Sequence, residues 1–150
     1  YSNFTNENRT NDKITALNTL RKMTELIYRQ EYFDIVGCAM KVHQELGRGF
    51  SEAVYQEALA IEFNIKGIIF SKECELSVYY RGEKLKKCFT ADFICYNKII
   101  IETKALSELA KEHDAQVINY LKATKFRLGI LINFGTNSLT HKRLVNFMDY

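Results

Sequence analysis

The run Ile99-Ile100-Ile101-Glu102-Thr103-Lys104 limits the fold of this chain more than any other stretch. Three consecutive isoleucines favour a strand covered on both faces. Alternate strand residues share a face, so Ile100, Glu102 and Lys104 point one way, and Ile99, Ile101 and Thr103 the other. A carboxylate and an ammonium on such a strand cost desolvation energy that goes uncompensated unless they are paired or hold a metal. By itself an acid-x-lysine is an ordinary ion pair on an edge strand. Upstream, however, Thr90-Ala91-Asp92-Phe93 places a second acid inside an apolar run, where strands disfavour aspartate.

The segments around this pair change period. Ile35, Ala39, Val42 and Leu46 form one helical stripe, and Gly47-Arg48-Gly49 ends it, because glycine accepts the left-handed turn that closes a helix. A second helix starts at Ser51, an N-cap residue, and stops at Gly67. Its expected buried stripe is Val54, Ala58, Ile61 and Ile65. The period then becomes two. Glu73 to Tyr80 carries Leu76, Val78 and Tyr80 on one face, Arg81-Gly82-Glu83-Lys84 is a turn, Leu85 to Tyr96 is a second strand and Ile99 to Lys104 a third. Glu112 to Thr124 is helical, and Phe126 to Phe134 is a buried strand. A strand, a helix and another strand make a crossover to a parallel neighbour. Leu139 to Phe147 is a strand or a short helix. The expected class is α+β, with an antiparallel meander in a mixed sheet flanked by helices, in the order ααβββαβ and a last element.

A chain of 150 residues, 47% hydrophobic and 26% charged, has the length and composition of one globular domain at 23–150. Residues 1–22 are set apart as a polar, flexible extension. Tyr1 to Thr10 reads as disordered, and Ile14 to Leu20 has room for two helical turns. The net charge of +3 neither requires nor opposes a nucleic-acid partner. Cys38, Cys74, Cys88 and Cys95 contain no CxxC or CxH pair, which argues against a zinc knuckle and for buried thiols in a reducing compartment. No apolar run approaches 18 residues and no signal peptide is visible, so the expected location is cytoplasmic, without a membrane partner.

Glu52 in the first turn of the second helix, Asp92 and Glu102 on neighbouring strands, and Lys104 beside them suit hydrolysis of a phosphodiester with a hard cation. Mg²⁺ takes oxygen ligands and keeps several waters. It polarises a phosphate and lowers the pKa of a bound water, while a lysine orients that water or stabilises developing charge. Gln116 and Tyr120 share a helix face, placed to brace the lysine or touch a phosphate. Each residue also has a plain reading. Glu52 complements a helix dipole, Tyr55 is a core tyrosine with a satisfied hydroxyl, and His43 and His113 are structural or support ligands from behind. Lys84, Lys86 and Lys87 are a solvated turn that can also meet a phosphate backbone. No continuous basic stripe with interleaved aromatics appears, so the sequence gives no support for strong sequence-specific binding.

Gly49-Phe50-Ser51-Glu52-Ala53-Val54-Tyr55 has the form GxxExxY. With Asp92, Glu102-Thr103-Lys104 and Gln116-Val117-Ile118-Asn119-Tyr120, it resembles the GxxExxY protein family of the PD-(D/E)XK nuclease-like superfamily, over about Met23 to Val145. The resemblance implies a restriction-endonuclease-like core with the site on the meander. It implies metal binding, Mg²⁺ or Mn²⁺, by Glu52, Asp92, Glu102 and the Thr103 carbonyl. It makes Lys104 catalytic and Gln116 supporting, with Tyr120 completing a QxxxY block. Ala91 stands where many members have proline. Three function classes follow: a metal-dependent nuclease acting on DNA or RNA, a nuclease-fold module that binds nucleic acid or a protein without cutting, and a hydrolase of another phosphodiester or a structural module. Oligomeric state is open, a homodimer included.

A shared metal sets a geometric condition. Directly opposed residues of an antiparallel hairpin lie on the same side of the sheet. A two-residue turn at Asn97-Lys98 would oppose Asp92 to Thr103 and send the two acids to opposite faces. The expectation is therefore an odd-length loop such as Tyr96-Asn97-Lys98, or a bulge or strong bend near Asp92. Either brings the carboxylates within roughly 4–6 Å, the span two ligands of one ion cover.

Overall fold

The computed structural model describes residues 2–147. Helices α1 (Ser2–Leu26), α2 (Arg29–Leu46) and α3 (Glu52–Lys66) precede the strands β1 (Phe70–Tyr80), β2 (Glu83–Cys95) and β3 (Ile99–Lys104). Helix α4 (Lys111–Thr124) and strands β4 (Leu128–Asn133) and β5 (Thr140–Val145) follow. One sheet runs in the order β1-β2-β3-β4-β5. Its neighbours are antiparallel except β3 and β4, which are parallel and joined through α4. Together the elements form a restriction-endonuclease-like α/β fold, a mixed sheet between two helical layers. Leu139–Phe147, open between strand and helix in the sequence, supplies the antiparallel edge strand β5.

Two apolar layers hold it together. On one face, Ile35, Ala39 and Val42 of α2 and Tyr55, Leu59 and Phe63 of α3 pack on Phe93, Cys95, Ile99, Ile101, Leu128, Ile130 and Ile132. On the other, Tyr120 and Leu121 of α4 pack with Leu76, Ala91 and Ile100. Strand β3 is central and covered from both sides, as its isoleucines require. A Cβ on Gly129 would stand 2.4 Å from Val117 Cγ1, so glycine is what lets α4 lie this close to β4.

The α3 stripe differs from the expectation by one position. Tyr55, Leu59 and Phe63 are fully buried, whereas Ile61 and Ile65 are exposed, and Val54 and Ala58 are half-buried. Both sets have helical spacing. The larger aromatic set wins because Phe63 closes edge-on against Phe93, with centroids 5.4 Å apart. The N-terminus differs more. Tyr1–Thr10, expected to be disordered, and the segment set apart at 1–22 fall almost wholly within α1, which runs past residue 22 to Leu26; Tyr1 lies outside the described residues. No proline or glycine interrupts residues 1–26, so nothing breaks the helix that Ile14, Leu17 and Leu20 begin. Every described side chain of α1, residues 8–23, is exposed. No helix among the described residues is long and apolar enough to cross a membrane.

Candidate active site

The loop between β2 and β3 has an odd length. Cys95 pairs with Ile99, Ile94 with Ile100 and Phe93 with Ile101, which leaves Tyr96-Asn97-Lys98 as the turn. Tyr96 and Asn97 take left-handed φ values of 54° and 56°, and Lys98 N donates to Cys95 O at 3.1 Å. Continued by one residue, this register places Asp92 opposite Glu102.

The ladders on both sides of Asp92 are interrupted here. The β2–β3 pairing stops at Phe93 and Ile101. Across the sheet, the β1–β2 ladder skips the rung at Glu73 between Lys72↔Phe93 and Cys74↔Ala91, and Glu73 has φ 50°. The face exchanged at this point is visible in the packing. Phe93 and Cys95 join the layer under α2 and α3, while Ala91 and Phe89, of the same parity, pack in the layer under α4. Asp92 sits at the crossover.

Side chains replace the missing rung. Asp92 Oδ2 accepts from Thr103 N at 2.7 Å and from Thr103 Oγ1 at 2.8 Å, charge-assisted bonds that fix the carboxylate. Thr103 Oγ1 accepts from Gln56 Nε2 at 2.9 Å, and the same nitrogen lies 3.4 Å from Glu52 Oε1. A chain of contacts thus ties Glu52 at the start of α3 to Asp92 on β2. Gln56 was not singled out in the sequence, although it stands four residues after Glu52 and so on the same helix face.

Glu102 is 4% exposed. Its Oε1 is 4.0 Å from Lys104 Nζ, and its Oε2 is buried without a hydrogen-bond partner. Burial pushes its carboxyl far above the ordinary range. The charge of Asp92 and a direct contact with that carboxylate add to the effect, and Lys104 opposes it. Burial also raises Glu52, followed by the charge of Asp92, against the pull of Lys104 and His113. The site therefore carries more negative charge than its own cation balances, and it favours an added proton or cation. Among the described residues, no three His, Cys, Asp or Glu side chains converge closely enough to hold an ion as they stand.

The GxxExxY stretch is a piece of local architecture. Gly49 has φ 110°, a conformation that other residues rarely adopt. Tyr55 is fully buried. Its hydroxyl donates to Gly47 O at 2.5 Å and accepts from Phe50 N at 3.3 Å, and its ring stacks on Phe134 with centroids 4.6 Å apart. Tyr55 therefore pins the loop that delivers Glu52. Ser51 holds the N-cap position with extended backbone, and its side chain makes no capping bond.

On the other side of the sheet, Gln116 Nε2 donates to Tyr120 Oη at 2.9 Å rather than bracing Lys104. Burial raises the Tyr120 hydroxyl to about 12, helped by the charge of Glu102. His113 Nδ1 accepts from Ala110 N at 2.9 Å, which fixes the ring at the start of α4 near Glu52. His43 Nε2 lies 2.9 Å from Thr136 O, a structural contact away from the carboxylates.

Sequence comparison decides the family, because residues 29–144 match the model of the PD-(D/E)XK nuclease superfamily. The chain belongs to the PD-(D/E)XK nuclease superfamily. The match starts at the first residue of α2 and ends inside β5. Among solved structures, one titled "Crystal structure of SSO0001" is similar at 20% identity and a TM-score of 0.47, over 77% of this chain. The chain spans 66% of the length of that structure. No curated protein matches the chain.

Proposed function

We propose that this chain hydrolyses phosphodiester bonds of nucleic acid, DNA or RNA, with Mg²⁺, for which Mn²⁺ can substitute, and that it is of the GxxExxY type within its superfamily. The observation that carries this reading is the buried, partnerless Oε2 of Glu102 beside the Asp92 carboxylate. A buried carboxyl oxygen without a partner is costly, and a hard cation is the group that would satisfy the ionised form. The residues fit such an ion. Asp92 and Glu102 would hold it, with Glu52 and the Thr103 carbonyl completing an all-oxygen set. When bound, the ion would polarise a phosphate and lower the pKa of an attacking water.

The chain's own groups have separable tasks. Thr103 N and Oγ1, with Gln56 behind them, hold Asp92 in one orientation. Lys104 Nζ lies 4.0 Å from Glu102 Oε1, and there it would offer a positive charge to a phosphate on which charge develops. Gln116 and Tyr120 form a hydrogen-bonded wall behind Glu102. Tyr55 supports Glu52 through the loop.

A second reading has its own observation. No three candidate ligands converge among the described residues, which favours a nuclease-fold module that binds nucleic acid or a protein partner without cutting. Metal binding separates the two. In titration calorimetry, Mn²⁺ is expected to bind the wild-type protein weakly, and Asp92→Ala is expected to lose that heat. Identical isotherms for the two proteins would remove the metal from the account.

A further inference from the structure

The far end of the β1–β2 hairpin and helix α4 enclose a second recess. Val78, Tyr79 and Phe89 line it from the hairpin, and Asn119, Lys122, Ala123 and Lys125 from the helix and its end; its volume is about 550 Å³. No acidic side chain lines it. Tyr79 is 63% exposed, and Arg81, Lys84, Lys86 and Lys87 of the same hairpin are exposed too. The recess adjoins the carboxylate site. The Phe89 ring lies 5.3 Å from that of Tyr120, whose hydroxyl accepts from Gln116 Nε2.

We propose that this recess is a binding groove for one strand of a nucleic acid, with bases against Val78, Tyr79 and Phe89 and phosphates against Lys122 and Lys125. The proposal rests on the nuclease-fold reading and adds the form of the ligand to it. Aromatic and apolar surface beside lysines is the combination that holds single strands, since every base has a face to stack and every nucleotide a phosphate to pair. The volume falls within the roughly 300–1,000 Å³ of a pocket for a small organic ligand. That suits a nucleotide or two of an open strand and is too little for a duplex. The groove draws on β1, β2 and α4, so no continuous stretch of the sequence displays it. The groove and the proposed cutting site share helix α4, which supplies Asn119 and Lys122 to the one and Tyr120 to the other.

The test is fluorescence anisotropy with labelled single-stranded DNA, single-stranded RNA and duplex DNA, in EDTA so that nothing is cut. The proteins are wild type, Lys122→Glu, Lys122→Ala and Tyr79→Ala; both positions are exposed, and circular dichroism checks their folding. Wild type is expected to prefer single strands over duplex. Lys122→Glu and Tyr79→Ala are each expected to weaken single-strand binding about tenfold, and Lys122→Ala to lower the salt slope by about 0.7. The two single-stranded arms tell DNA from RNA. Unchanged single-strand affinity in all the variants would overturn the groove and leave the nuclease reading standing. Preference for duplex, with the same dependence on Lys122, would overturn the single-strand assignment. Absence of binding to every oligonucleotide would overturn the groove together with the nucleic-acid reading beneath it.

Discussion

Lys104→Ala is expected to lower the rate of nucleic-acid cleavage by about 10²–10³-fold or more, the usual effect of removing a group that stabilises transition-state charge. The fold should survive, because the Lys104 side chain, at 16% exposed, closes no apolar layer and its ion pair with Glu102 is a long contact of 4.0 Å. Mn²⁺ binding should survive as well, since an ammonium is not a ligand. A merely structural lysine would show the reverse pattern, with lowered thermal stability and unchanged turnover of the folded fraction. If Lys104→Ala cuts as fast as wild type, the role proposed for this lysine is lost.

The second large effect concerns Glu102 and pH. Its folded-state pKa lies well above the ordinary 4.5, chiefly through burial and the neighbouring Asp92. The folded protein therefore holds that proton more tightly than the unfolded chain. Below about pH 4.5 both states are protonated there, and the contribution to stability is fully present. As pH rises towards the folded pKa, the unfolded chain releases the proton first, and stability falls. Glu52 shifts the same way. Metal-free wild type should thus lose stability from near pH 4.5 upward, and Glu102→Gln should flatten that decline. At neutral pH the variant should be more stable than wild type by on the order of 1–3 kcal/mol, the cost of an unsatisfied buried group. That corresponds to about 2–4 °C in Tm for each kcal/mol. Added Mn²⁺ should stabilise wild type and not the variant. Melting curves in EDTA across pH 4–8 check this, and parallel profiles for the two proteins would contradict it.

These expectations could be framed because the carboxylate hairpin was legible in the chain. The isoleucine run forced a doubly covered strand, and β3 has the bounds read from it, Ile99–Lys104. The parity of Asp92 and Glu102 required an odd loop or a bend, and the loop is odd. Two features resisted reading. In α3, two residue sets one position apart fit a helix equally well, and aromatic contacts with β1 and β2 chose between them; those contacts are long-range and leave no local trace. At the site, the bonds that hold Asp92 run through Thr103 and Gln56, ordinary polar residues whose roles exist only once α3 lies over the sheet. At the polar N-terminus the expectation came from composition. Composition alone suggested disorder, while an uninterrupted stretch without proline or glycine forms a helix.

The central claim is that Glu52, Asp92, Glu102 and Lys104 together cut nucleic acid with a divalent cation. The most direct measurement incubates the purified wild-type protein with single- and double-stranded DNA and RNA, in Mg²⁺, in Mn²⁺ and in EDTA, beside Asp92→Ala and Glu102→Gln. The expected result is cleavage of at least one substrate by wild type with either cation, lost in EDTA and in both variants. Cleavage that persists in EDTA or in Asp92→Ala would contradict the account, as would intact substrates in every lane for a protein that binds them.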